Sequence, residues 1–209
     1  MTIQEIARHF RQRELSVQGA VGEYAILVPL VEHEGRLCLL FETRAATLVG
    51  HQPNEVCFPG GRREAGESPR QTALRETWEE LGIPPEEVEI LAPLDVIQDI
   101  SDRVIWPFLA RVSARGLARL SPSIDEVKDV FFVPVGRLLR GPDDFYRYPV
   151  RPLVDEGFPY DRIGFPHDYP WRRGWMDVPI YEVDGHVIWG MTGRTVRWLM
   201  NELGQLAEG

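Results

Sequence analysis

Three glutamates, Glu76, Glu79 and Glu80, stand at spacing i, i+3, i+4 inside residues 61–83, GRREAGESPRQTALRETWEELGI. On an α-helix, at ~100° per residue, that spacing puts all three carboxylates on one stripe. Carboxylates this close repel one another until a cation sits among them. Hard oxygen donors of this kind suit Mg²⁺ or Mn²⁺ rather than zinc, and the histidines of the chain form no pair at metal-ligand spacing. An acidic helix face is often merely solvated. Here the turn Phe58-Pro59-Gly60-Gly61-Arg62 just upstream favours a site, because it folds the chain back so that backbone groups, such as the Gly60 carbonyl, approach the acids. Arg75, at i, i+4 from Glu79, is placed to pair with a carboxylate and hold it, and Glu67 ahead of the helix can join the same network.

The helix that positions these groups has both ends written into it. Ser68 is a good N-cap, Pro69 suits the first helical position, and Gln71 completes a capping box. Gly82 can close the helix in a left-handed conformation and Pro84 prevents its continuation. Leu74, Trp78 and Leu81 form a second stripe, expected to face a core. Upstream, residues 21–30 and 36–43 read as strands joined by a hairpin-like turn ending in Glu34-Gly35, and 55–58 as a short strand. Downstream, 88–98 and 103–112 read as strands around Ser101-Asp102, followed by a strand at 129–135 and a short helix near 135–140. Residues 178–183 and 186–189 fit a final hairpin around Asp184-Gly185. The last helix, 192–204, presents Val196, Leu199, Met200 and Leu203 on one side, with Thr192 as its cap and Trp189 in the core. An N-terminal helix over 3–14 is expected to pack Ile6 and Phe10.

Residues 141–176 carry proline, arginine and weak periodicity, but nine aromatic side chains argue for an ordered excursion rather than a linker. The 209 residues, 44% hydrophobic and 26% charged, fit a single domain spanning 1–209. Cys38 and Cys57 lie in strand-like runs and read as buried thiols, not as a disulfide framework. Nothing resembles a signal peptide or a membrane span, so a cytoplasmic location is the expectation. The net charge of −9 disfavours nucleic acid as a partner. It leaves room for a small anionic nucleotide, since a divalent metal with Arg44, Arg62, Arg63 and Arg70 nearby can reverse the field in one cleft. A homodimer is compatible with the sequence.

Gly61, Glu67, Arg75-Glu76, Glu79-Glu80 and Gly82-Ile83 together resemble the Nudix box, G-x5-E-x7-R-E-U-x-E-E-x-G-U with U apolar. Chance agreement at these positions has a probability on the order of 10⁻⁶. Thr77 departs from the aliphatic residue usual there. The resemblance implies an α+β fold, an α/β/α sandwich with a mixed sheet between helices. It also implies hydrolysis of a diphosphate linked to another moiety, with metal held by Glu76, Glu79, Glu80 and the Gly60 carbonyl.

Residues 39–61, LLFETRAATLVGHQPNEVCFPGG, further resemble the motif LLTxRSxxLxxHxGxVxFPGG of coenzyme A pyrophosphatases through Arg44, Leu48 and Phe58-Pro59-Gly60-Gly61. Ala45 and Asn54 depart from it, and the loop holding His51 and Gln52 is one residue longer. VIWGMTGRTVRWLM at 187–200 resembles the IWG-x-T helix start of the same enzymes. On this resemblance the substrate is coenzyme A or an acyl derivative, with Arg44, Phe58 and Arg62 as substrate contacts and Glu126 as a further carboxylate at the reacting water. An ADP-ribose or NADH pyrophosphatase and a non-catalytic nucleotide sensor are the alternative readings.

Overall fold

The computed structural model describes residues 1–12, 17–46 and 53–206. Leu48, His51 and Gln52 of the motif before the box, and the end of the expected first helix, lie outside the described residues. In chain order the elements are α1 (Ile3–Arg11), β1 (Gly22–His33), β2 (Arg36–Arg44), β3 (Val56–Cys57), β4 (Gly60–Arg62), α2 (Pro69–Leu81), β5 (Val88–Pro93), β6 (Ile97–Gln98), β7 (Arg103–Val112), α3 (Ala114–Leu117), β8 (Val127–Pro134), α4 (Val135–Leu138), β9 (Asp144–Val150), α5 (Tyr160–Ile163), β10 (Gly174–Val183), β11 (His186–Ile188) and α6 (Gly190–Leu206).

The principal sheet runs β3-β2-β1-β7-β5, with β4 on β1, β6 on β7 and β8 on β2. It is mixed: β1 and β7 are parallel from Gly22 opposite Arg103 to Leu30 opposite Arg111, while β1 and β2 are antiparallel. Strand alternation sorts its side chains into two layers. Ile26, Val28, Leu39, Phe41, Ile105 and Val133 face Val196, Leu199 and Met200 of α6. On the opposite face Ala25, Leu27 and Ala110 pack with Ala73 of α2, and Val31, Cys38 and Leu40 pack with Leu81 and Ile83. The result is an α+β sandwich with the sheet between helices.

Turn chemistry closes the hairpins where the sequence places them. Glu34 and Gly35 have φ of 49° and 70°, and Asp184 and Gly185 have φ of 50° and 84°, the positive values that two-residue hairpin loops require. The excursion at 141–176 is built as β9 on β10, which with β11 forms a second, three-stranded sheet. Between β9 and β10 an aromatic cluster gathers Phe158, Tyr160 and Trp171, with the Trp171 indole N–H donating to the Tyr160 hydroxyl at 3.0 Å.

Several expectations are corrected. α1 is capped by a Thr2–Glu5 capping box but buries none of its residues, so Ile6 and Phe10 stay exposed. Trp189 is exposed rather than core, and Thr192 is buried within α6, which already begins at Gly190. On α2 the core-facing residues are Thr72, Ala73, Thr77 and Leu81, together with Glu80. Trp78 is 56% exposed and Leu74 only partly covered. The unusual Thr77 fits its buried place because its hydroxyl donates to the Ala73 carbonyl at 2.7 Å.

Candidate active site

α2 forms as its sequence dictates. The Ser68 hydroxyl accepts from the Gln71 N–H, the Gln71 side chain accepts from the Ser68 N–H at 2.8 Å, and Gly82 ends the helix at φ 69°. The helix lies beside the bend that joins β3 to β4. Gly60 has φ 152°, and a side chain there would collide with the Ala25 carbonyl and Ile26. Gly61 has no room either: a methyl group would strike the Glu76 carboxylate. Two successive glycines are thus needed for β4 to pass between β1 and the acids of α2.

The box carboxylates occupy three different environments. Glu80 is 4% exposed and accepts the Gly60 N–H at 2.7 Å. The contact from this glycine to α2 is therefore its amide N–H, where the sequence pointed to its carbonyl. Glu76 is largely covered and Glu79 is half exposed. Arg75 Nη1 reaches Glu76 at 2.9 Å and Glu79 at 2.8 Å, Nε reaches Glu67 at 2.7 Å, and Nη2 donates to the Arg62 carbonyl at 3.1 Å. This bonding to Arg75 draws the Glu67 carboxyl down to about 2. Arg75 and Glu67 form the clamp expected of them.

A fourth acid joins the cluster from β2. Glu42 is 1% exposed, and its Oε1 accepts the Cys57 thiol at 3.3 Å. Burial pushes its carboxyl up to about 7. Burial likewise raises Glu80, which repulsion from Glu42 pushes further, and raises Glu76, with Glu79 and Glu126 adding repulsion. The Cys57 thiol is raised well above its ordinary value by the same burial and by Glu42. Burial disfavours the Arg44 charge, yet neighbouring Cys57, Glu80 and Glu42 outweigh it and raise the pKa.

The structure thus gathers Glu42, Arg44, Cys57, Gly60, Gly61, Glu76 and Glu80, with Arg75 and Glu79 at the outer rim. Glu126 is exposed immediately before β8, where its carbonyl accepts the Ala45 N–H at 2.8 Å, and its charge adds to the repulsion on Glu42 and Glu76. Arg62 is exposed and meets the cluster through its carbonyl. Phe58 is a correction. At 2% exposure, stacked on Phe41 with ring centroids 4.8 Å apart, it belongs to the core rather than to a substrate surface. Glu42 is the residue that sequence reasoning missed, although an acid directly after the run Leu39-Leu40-Phe41 was a visible signal.

The donor set fits a hard divalent cation. It consists of carboxylate oxygens whose charges are disfavoured by burial and mutual repulsion, and it includes the buried Glu42 Oε2, which has no hydrogen-bond partner. Among the described residues no three acids, histidines or cysteines are already gathered at ligating geometry. Arg75 stands between Glu76 and Glu79, its cationic guanidinium facing both.

A mixed sheet between two helices, with a glycine bend pressed against an acidic helix, is the frame into which residues 23–154 fall when matched to the NUDIX domain model. The chain belongs to that family. It is 36% identical to mitochondrial coenzyme A diphosphatase NUDT8 of Mus musculus, over 80% of this chain and 71% of that protein. It is 40% identical to Nudix hydrolase 3 of Caenorhabditis elegans over 61% of this chain, and 37% identical to peroxisomal coenzyme A diphosphatase NUDT7 of Mus musculus over 60%. The matches span only 54% and 52% of those two relatives. Among solved structures, a MutT/nudix family protein from Enterococcus faecalis superposes with a TM-score of 0.49 at 17% identity, covering 100% of this chain and 70% of that one. Among the described residues no helix is long and apolar enough to cross a membrane.

Proposed function

We propose that this chain hydrolyses the diphosphate bond of coenzyme A or an acyl-coenzyme A, giving 3′,5′-ADP and 4′-phosphopantetheine or its acyl form, with Mg²⁺ or Mn²⁺. The observation that carries the reading is the set of carboxylates on α2 pressed against the Gly60-Gly61 bend, their charges disfavoured by burial. Two relatives named as coenzyme A diphosphatases, and the segment before the box that resembles such enzymes, support the substrate class.

In this reading Glu76, Glu79 and Glu80, with the Gly60 carbonyl, would hold the cation. The bound cation supplies charge neutralisation for the diphosphate and lowers the pKa of the attacking water. Arg75 is a positioning residue that fixes Glu67, Glu76 and Glu79 through four side-chain contacts. The Gly60 N–H keeps Glu80 aimed inward. Glu126, exposed just before β8, would take the proton released by water or complete the coordination shell, and Arg44 would meet a phosphate oxygen from the β2 side.

The test is a substrate panel with Mg²⁺ or Mn²⁺: coenzyme A, an acyl-coenzyme A, ADP-ribose, NADH and diadenosine polyphosphates, with products identified by mass. The expected result is 3′,5′-ADP from the coenzyme A compounds at the highest turnover. Faster cleavage of ADP-ribose or NADH would overturn the substrate assignment and leave the hydrolase assignment standing. No cleavage of any compound would overturn both.

A further inference from the structure

Glu42 sits where a carboxylate has little structural reason to be. It follows Leu39, Leu40 and Phe41 in β2, all fully buried, and is itself 1% exposed. One oxygen accepts the Cys57 thiol at 3.3 Å, while the other, Oε2, is buried without any hydrogen-bond partner. Neither protonation state satisfies that oxygen. Ionised, it leaves lone pairs unmatched; neutral, its hydroxyl proton has no acceptor. A thiol is a weak donor that a neutral acceptor would serve as well, so the hydrogen bond to Cys57 does not explain a charged group here.

The placement of Glu42 supplies the missing reason. Alternation along β2 puts it on the face of Cys38 and Leu40, the face covered by α2. Cys57 is its cross-strand partner on β3, and three residues further on the Gly60 N–H grips Glu80. One short segment therefore holds Glu42 through the Cys57 thiol and Glu80 through the Gly60 N–H, while Oε2 of Glu42 remains unanswered.

We propose that Glu42 is a further carboxylate of the divalent-cation site, its unpartnered Oε2 forming with Glu80 the inner wall, and that the Cys57 thiol is a positioning group that orients it. This rests on the metal-dependent reading of the site given above. Removing the Glu42 charge then weakens the cation more than it weakens the fold.

The experiment is a Mn²⁺ titration of the purified full chain, followed by electron paramagnetic resonance and by the Mn²⁺-induced rise in Tm. Wild type, Glu42→Gln and Cys57→Ser are compared. We expect Glu42→Gln to keep or exceed the metal-free Tm of wild type, to bind Mn²⁺ at least tenfold more weakly, and to lose most of the Mn²⁺-induced rise in Tm. Cys57→Ser, whose hydroxyl can donate to the same oxygen, is expected to bind within threefold of wild type. A Glu42→Gln variant that binds Mn²⁺ within twofold of wild type overturns the inference, whatever its metal-free Tm. Should that variant fail to fold, Glu42→Asp, which keeps the charge but withdraws the oxygens by one methylene, is held to the same tenfold and twofold limits. Wild type that binds no Mn²⁺ would overturn the metal-dependent reading itself, whereas tight binding by wild type and variant alike would overturn the role of Glu42 alone.

Discussion

The backbone N–H of Gly60 donates to the Glu80 carboxylate at 2.7 Å across a sequence separation of 20 residues. This bond joins the glycine bend to the acidic helix at a point 4% exposed on the glutamate side. It needs only an acceptor, and an amide oxygen would serve. The charge on Glu80 is therefore dispensable for the fold, where burial already works against it.

Glu80→Gln accordingly is expected to retain the Gly60 contact, keep or raise Tm, and lose about 10²-fold or more in turnover of the best substrate. Glu79→Gln, at a half-exposed position, should leave Tm unchanged with a comparable loss. Thermal melts beside steady-state assays check both, and wild-type turnover in either variant would remove that glutamate from the chemistry.

Gly60 and Gly61 separate the two costs of adding a methyl group at the bend. Gly60→Ala forces a side chain into the Ala25 carbonyl at φ 152°, so it should destabilise by about 2 kcal/mol or more. Gly61→Ala meets the Glu76 carboxylate instead, which can move. It should fold with a smaller loss of Tm but bind Mn²⁺ several-fold more weakly. Urea unfolding and metal titration of the two variants tell them apart.

Much of this was legible because local chemistry is periodic and capped. Ser68, Gln71 and Gly82 define α2, and Glu34-Gly35 and Asp184-Gly185 define hairpins, all without reference to the rest of the chain. What was not legible depends on which side of an element meets a neighbour. Leu74, Trp78 and Leu81 read as the buried stripe of α2, yet of these only Leu81 is buried, because the helix turns Thr72, Ala73, Thr77 and Glu80 toward its neighbours instead. Phe58 read as a substrate contact on the resemblance to coenzyme A pyrophosphatases, but its ring is buried and stacked on Phe41. The acid at Glu42 was visible beside its apolar run, but its place in the site was not, because Cys57 and the α2 acids are brought to it only by tertiary pairing.

The Glu67–Arg75 pair makes part of the stability depend on acid pH. The folded pKa of Glu67, about 2, lies below the ordinary 4.5 because Arg75 bonds it. A depressed carboxylate contributes stability above its unfolded pKa, and that contribution is lost as pH falls through the folded value. The window is therefore pH 4.5 down to about 2. Glu67→Gln should remove about 1 kcal/mol at pH 7, after allowance for solvent screening, and flatten the stability profile across that window. Urea-derived stabilities measured at several pH values check it; parallel profiles for the two proteins would refute it.

Tyr160 anchors the aromatic cluster between β9 and β10, accepting the Trp171 indole N–H from a position 8% exposed. Tyr160→Phe should leave the principal sheet intact while costing about 1 kcal/mol of local stability, the worth of one such bond. Limited proteolysis within residues 151–173 should quicken, with the global Tm little changed. Unaltered cleavage rates would mean that ring packing alone holds this segment.

Thr77 tests whether the departure from an aliphatic residue in the box has any functional content. Its side chain is fully buried, and its hydroxyl only duplicates a bond to the Ala73 carbonyl, four residues back, that the helical N–H already supplies. Thr77→Val removes a buried hydroxyl and adds a methyl group of similar size, for a net gain of about 0.5 kcal/mol. In a chain of this length that is a rise in Tm of about 1–2 °C. Turnover should not change, because Thr77 is buried one helical turn from Ala73, which packs on Ala25, Leu27 and Ala110, and its hydroxyl bonds only the helix backbone. A fall in turnover with Tm preserved would show instead that the hydroxyl helps to set the orientation of Glu76 or Glu80.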